Sequence, residues 1–289
     1  MNKNWLRVFR AREVAPGITP ILIASLDTSL RLDLPKILLL TIGFLCIFFS
    51  SFLINELVDS YDTDKFNPER DKGITNHGVP RNFTIIAFVL TSILGIIILT
   101  FLNLFWAAIG VVLLLVAYSL PPIRIKSRPI LDLVTVTIGF VVLPYISYFL
   151  VSSQPITWHE PLILLFFTCG FFAIDLVAEG ADLIADKKAG LLTTAVLLGE
   201  RNNLLVISFL ALSSVVFGVL ATILTGHWWY FYIVVMMFFL FTAAQFGLEI
   251  IQHKKRVHEL LRTGEKFGIF AAGIGTIIVI ITVLVYYII

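Results

Sequence analysis

A chain of 289 residues, 58% hydrophobic and 14% charged, carries more apolar surface than a water-soluble core can hide, so an integral membrane protein is expected. The mean hydropathy of +0.97 agrees. The formal net charge of +2 says little by itself, whereas the placement of the basic residues says a good deal.

A membrane-spanning helix needs roughly 20 mainly apolar residues. Nine stretches qualify: Val14–Leu30, Pro35–Leu57, Phe83–Phe101, Leu104–Leu120, Ile130–Val151, Pro161–Leu176, Leu204–Leu224, Trp229–Ile250 and Phe267–Ile289. The first is interrupted by Pro16, Gly17 and Pro20, which predicts a short or kinked helix. Cys46 and Cys169 lie inside apolar runs and read as small core residues. No soluble second domain or linker is visible, so residues 1–289 are read as one polytopic domain. The expected fold class is all-α, an integral membrane bundle of nine transmembrane helices.

Short cytoplasmic loops are enriched in Lys and Arg. With the N-terminus inside, Lys65, Arg70, Lys72, Arg81, Arg124, Lys126, Arg128, Lys187, Lys188, Arg201, Lys254, Lys255, Arg256, Arg262 and Lys266 all fall on the inner side. Only Arg31 and Lys36 fall outside. The short outer loops carry Trp158, Trp228 and Trp229, as an interfacial belt does.

Three inner segments stand out. The first runs from Asn55 through Asp59 and Asp62 to Asp64, and continues into Asn67, Arg70 and Lys72. On a helix, residues three and four apart share a face, so Asn55, Asp59 and Asp62 are predicted to form one polar stripe. Ionisable groups at the end of an apolar span are costly and mark function more often than solvation. The second segment follows the double proline Pro121-Pro122 and alternates Arg124, Lys126 and Arg128. An extended strand would put those three cations on one side, although a positive-inside anchor alone has the same composition. The third segment places Asp175, Glu179, Asp182 and Asp186 on one helical face. Carboxylates this close repel one another, a hard divalent cation relieves the repulsion, and Mg2+ is commonly shared between one or two carboxylates and substrate phosphates. Two acidic stripes beside a basic cluster therefore point to a metal-bridged diphosphate site. The five histidines share no metal-ligand spacing, and no nucleic-acid motif or Gly-rich phosphate loop is present.

These residues carry a family resemblance. Asn55 and Asp59 match the first motif of the UbiA-type intramembrane prenyltransferases. Glu179, Asp182, Asp186, Gly190 and Thr194 match the second, and Tyr118, Ser119, Pro121, Pro122, Arg124 and Lys126 match the segment between the fourth and fifth helices. The family's third acid of motif one would fall on Thr63, so either Asp62 or Asp64 takes its place through a one-residue insertion such as a helix bulge. The stretch from Lys126 to Asp132 and the pair Asn67-Pro68 resemble the carotenoid-elongating, lycopene elongase branch.

The resemblance implies nine helices around a central cavity with cytoplasmic motif loops, and a Mg2+-dependent enzyme. Its partners would be a polyprenyl diphosphate, a lipophilic acceptor and membrane lipid. Asp59, Asp182 and Asp186 would be catalytic. Asn55, Asp59, Asp62, Asp64, Glu179, Asp182 and Asp186 would supply the metal ligands, and Arg70, Lys72, Arg124, Lys126 and Arg128 would bind the diphosphate. Tyr118, Trp106 and the many Phe residues would line an apolar cavity in which an allylic cation survives. The acceptor would be a carotenoid, a quinone precursor or another aromatic. An intramembrane terpene cyclase on the same scaffold, or a cation-coupled transporter with the acids as an ion path, would use the same acids.

Overall fold

The computed structural model of the chain describes residues 8–27, 33–67, 73–225 and 257–288. Among these residues all regular structure is helical. A 3-10 turn, Ala15–Ile18, runs into α1, Thr19–Asp27, so the proline-interrupted first stretch is short. The others are α2, Leu34–Asp59; α3, Arg81–Thr100; α4, Phe105–Ser119; α5, Leu131–Ser152; α6, Glu160–Lys188; α7, Thr194–Thr225; and α8, Val257–Ile288. By length and apolarity α2, α3, α5, α6 and α7 can each cross a membrane, and shorter apolar stretches lie at Pro16–Leu26, Phe105–Ser119 and Gly273–Val285. The expected span Trp229–Ile250 lies outside the described residues.

Three boundaries differ from the sequence reading for the same reason, one of them the start of α8 at Val257 where Phe267 was expected. The sixth apolar stretch was expected to end at Leu176, but α6 continues to Lys188 and carries the whole second acidic set. The seventh was expected to start at Leu204, but α7 starts at Thr194 and kinks at Gly199, where φ is +71°. Hydropathy reports where lipid can be met, whereas a helix continues past that limit wherever its polar residues face protein.

α6 packs along α7, α2 along α3, and α8 lies against α6 and α1. A hydrogen bond of 3.0 Å between Thr19 and Thr276 joins α1 to α8. The interior is aromatic where α2, α5 and α6 meet. Phe48 stacks on Phe140 at 4.4 Å between centroids, and Phe140 on Phe171 at 6.0 Å. Phe52 meets Phe140 edge-on at 5.9 Å. Phe140 lies in a π-helical turn, Ile138–Val142, where the Leu143 amide bonds back to the Ile138 carbonyl. Leu90, Ile86 and Leu94 of α3 and Leu205, Phe209 and Leu212 of α7 are exposed, as lipid-facing side chains are. The protein is a multi-pass integral membrane protein.

Candidate functional site

α2 stops at Asp59, where the Ser60 amide bonds the Glu56 carbonyl and the chain turns. A 3-10 turn, Thr63–Phe66, follows, capped by Asp62, whose Oδ1 accepts from the Thr63 amide at 2.6 Å. The predicted stripe is therefore shorter than expected. Asn55 and Asp59 share a helical face, but Asp62 lies past the helix end and is aimed by the turn. Asp64 is buried, 5% exposed, and accepts from the Thr75 hydroxyl at 3.3 Å. The chain after Asp59 thus breaks into a tighter turn, with no bulge inside α2. Glu56 faces elsewhere. Its Oε1 accepts from the Ile74 amide at 2.8 Å, anchoring the short helix Gly73–His77.

The basic segment is not the extended strand its alternation predicted. Pro121 and Pro122 end α4, Arg124 takes left-handed backbone angles (φ +36°, ψ +63°), and Ile125–Ser127 form a 3-10 turn. This curl sends two of the three cations to the first acidic stretch. Lys126, 7% exposed, pairs with Asp59, and Arg124 pairs with Asp62 at 2.5 Å. Charges at this depth are tolerated only when paired. Arg128 bonds neither acidic stretch among the described residues; its backbone carbonyl accepts from the Asp132 amide at 3.1 Å. Arg70 and Lys72 lie outside the described residues.

In α6 the four acids keep the predicted helical register. Glu179 accepts from the Ala195 amide at 3.0 Å, which fastens the start of α7 to the acidic face. Gly190, at φ +75°, lets the chain reverse after α6, with the Leu191 amide on the Asp186 carbonyl at 2.9 Å. Gly180 lets three helices meet, since a Cβ there would sit 2.5 Å from Leu261 Cδ1 of α8 and 2.6 Å from Asn203 Nδ2 of α7.

Two further contacts gather the segments. Asn67 Nδ2 donates to Asp182 Oδ1 at 2.6 Å, and Arg262 of α8 donates to Asn67 Oδ1. Asp132, 0% exposed, accepts from the Thr194 amide at 2.6 Å, the Thr194 hydroxyl at 2.5 Å and the Leu133 amide at 2.8 Å. The Thr194 hydroxyl in turn accepts from the Ile130 amide at 2.6 Å, so the basic turn is tied to the loop after α6. Tyr118, at the end of α4, lies within electrostatic reach of Asp175, Glu179, Asp132 and Asp59. Trp106 does not join it. It stands at the opposite end of α4, 80% exposed beside Phe105.

Sequence reasoning gave no role to Asp132 or Arg262. A buried-span acid one residue into α5 was a usable signal for the first. Arg262 was counted only as an orienting charge, and nothing local distinguishes it.

Among the described residues no three His, Cys, Asp or Glu side chains gather round one point; cations hold that ground at the first stretch. The donors nonetheless fit Mg2+. Asn55 Oδ1 is buried on the Asp59 face with no hydrogen-bond partner among the described residues, and the set consists of carboxylate and amide oxygens, the hard ligands Mg2+ takes.

Comparison with known proteins bears on this arrangement. A family model described as the UbiA prenyltransferase family matches residues 17–261. The lycopene elongase/hydratase of Haloferax volcanii is 29% identical over 163 residues, 52% of this chain and 48% of that protein. The lycopene elongase/hydratase of Corynebacterium glutamicum is 28% identical over 178 residues, 59% and 58% of the two chains. The chain thus spans about half the length of the curated relatives it matches. Among solved structures, a UbiA homologue from Archaeoglobus fulgidus bound to DMAPP and Mg2+ has a TM-score of 0.69 at 17% identity, covering 95% of this chain and 99% of that one. The apo UbiA homologue from Aeropyrum pernix K1 has a TM-score of 0.70 at 13% identity, covering 92% and 97%. At these identities the likeness establishes a common fold.

Proposed function

Because the chain belongs to the UbiA prenyltransferase family, we propose that it moves a prenyl group from a polyprenyl diphosphate to a lipophilic acceptor within the membrane, with Mg2+ as cofactor and the motif loops on the cytoplasmic side. The observation that supports this reading is one hydrogen bond. Asn67, eight residues past Asp59, reaches Asp182 across 115 positions of sequence, while Lys126 and Arg124 meet the same first stretch. Two acidic units and a basic turn share one end of the bundle, as recognition of an anion through both metal and cations requires.

Asn55, Asp59 and one of Asp62 and Asp64 from the first stretch, with Glu179, Asp182 and Asp186 from the second, would hold the ion. When bound, Mg2+ supplies the charge that neutralises the diphosphate as leaving group. Lys126 and Arg124 give up Asp59 and Asp62 and donate to phosphate oxygens instead. Arg70, Lys72 and Arg128 would supply further cations to the diphosphate. The allylic carbon–oxygen bond breaks with its electron pair on the diphosphate. Phe48, Phe52, Phe140 and Phe171 exclude water from the cation and offer it π faces, with Tyr118 as a further aromatic group. A double bond of the acceptor supplies the pair for the new carbon–carbon bond, and a carboxylate of the second acidic set takes the proton released. The two lycopene elongase/hydratase relatives favour a carotenoid acceptor, with an aromatic one as runner-up.

The test is mass spectrometry of lipid products from purified protein, several prenyl diphosphates, Mg2+ and a panel of carotenoid and aromatic acceptors. The expected product is a prenylated carotenoid, with diphosphate release lost in Asp59→Ala and Asp182→Ala. Full turnover in both variants overturns the reading. A cyclised hydrocarbon formed without acceptor would replace it with a cyclase.

A further inference from the structure

The diphosphate site described above leaves the last helix without a chemical part, yet α8 reaches it. Leu261, fully buried, packs on Gly180, two residues before Asp182. The next residue, Arg262, donates to Asn67 Oδ1, and Asn67 Nδ2 donates to Asp182. Asn67 is buried, 9% exposed. The direction of this chain follows from chemistry alone. A guanidinium has donors and no acceptor, and an ionised carboxylate has acceptors and no donor. An amide caught between them has one orientation, oxygen to Arg262 and NH2 to Asp182. Reversing it would set NH2 against guanidinium and oxygen against carboxylate.

We infer that Arg262 is a positioning residue of the diphosphate site, acting through Asn67 to fix Asp182 and to close the first acidic loop on the second acidic face. The inference rests on the proposed prenyl diphosphate reading. The role assigned to Arg262 runs through its bond to Asn67. Arg262 holds the amide in the one register that steadies a carboxylate, and a carboxylate accepting one such bond keeps lone pairs for a cation. Groups that orient a metal's ligands from behind typically change metal affinity by about 10- to 100-fold when removed.

The experiment titrates Mg2+ into full-length protein in detergent with geranyl diphosphate and follows ligand binding by calorimetry. Arg262→Met, Asn67→Ala and the double variant are compared with wild type. Each single variant is expected to raise the Mg2+ concentration for half-maximal binding by about tenfold, and the double variant by no more than either single, because the two residues act in series. Arg262→Gln is the second variant. Its NH2 can still donate to Asn67 Oδ1, and Asp182, which only accepts, keeps Asn67 turned the same way, so its midpoint should shift less than that of Asn67→Ala. Melting of the ligand-free protein identifies any variant that fails to fold, and Arg262→Gln then decides. An unmoved midpoint in a folded Arg262→Met, a shift in Arg262→Gln as large as in Asn67→Ala, or additive shifts in the double variant, overturns the inference. Absence of Mg2+-dependent binding in wild type sinks the functional reading, and the inference with it.

Discussion

The two acidic regions are held in opposite ways. In the first, Asp59 and Asp62 meet Lys126 and Arg124, side chains on long flexible stems in a turn between helices. In the second, Glu179 and the neighbouring Asp132 accept from backbone amides of Ala195, Thr194 and Leu133, and from the Thr194 hydroxyl. A backbone donor cannot leave without unfolding its segment, whereas a Lys or Arg head can rotate to a new anion. In the proposed reading the Lys126 and Arg124 pairs can exchange partners, whereas Glu179 and Asp132 keep their backbone donors. The proposed diphosphate site, which would admit a highly charged ligand and still present fixed ligands to it, would need both.

Three substitutions sharpen the contrast, and the largest effect falls on the exchangeable side. Lys126→Met removes the buried ammonium that pairs with Asp59, and breaking such a pair costs about 3 to 5 kcal/mol. Chemical denaturation of ligand-free protein should show that loss, and Asp59→Asn added to Lys126→Met should restore most of it without restoring prenyl transfer. If the single variant is as stable as wild type, the pair is not carrying the charge balance of this region.

Next is Asp132→Ala, which strands the Thr194 amide and hydroxyl and the Leu133 amide in a buried place, at about 2 to 3 kcal/mol. Unlike Lys126→Met, it has no cation to rescue, so no second charge-removing substitution should recover it. Recovery on adding Lys126→Met would show that the two regions are one charge network. The smallest effect is Gly190→Ala. Its φ of +75° makes a Cβ cost about 1 kcal/mol, with nothing within 4 Å for that Cβ to strike. A drop near that size in the melting measurement, with unchanged Mg2+ dependence, is expected.

Much of this was legible in the order of residues. The apolar runs located α2, α3, α4 and α6 to within a few residues at their lipid-facing ends, because burial in lipid demands an unbroken apolar stretch. The spacing of Asp175, Glu179, Asp182 and Asp186, by four, three and four, already pointed to the helix that α6 is. Charge alternation misled at Arg124, Lys126 and Arg128, since alternation reports an extended chain only if the backbone is extended, and the two prolines and the left-handed Arg124 curl it. Asp62 escaped its stripe because helix ends depend on a local competition between a continuing turn and the side-chain cap that Asp62 itself provides. Asp132 and Arg262 were not legible as site residues. Their partners lie 62 and 195 positions away, and only the folded chain brings them within reach.

The π turn at Ile138–Val142 sets the phase of everything beyond it. A π turn holds one more residue than the α-helical turn it replaces, and each residue of an α-helix advances the facing direction by roughly 100°. Deleting one residue there would let α5 run straight and swivel its distal half by about that angle. Tyr145 and Tyr148, now 2% and 0% exposed, would turn away from the interior, and Leu150, at 63%, would leave its present outward position. That single inserted residue lets one helix serve Phe140 and the tyrosines as inward-facing groups, two sets that a uniform helical pitch would have kept out of step.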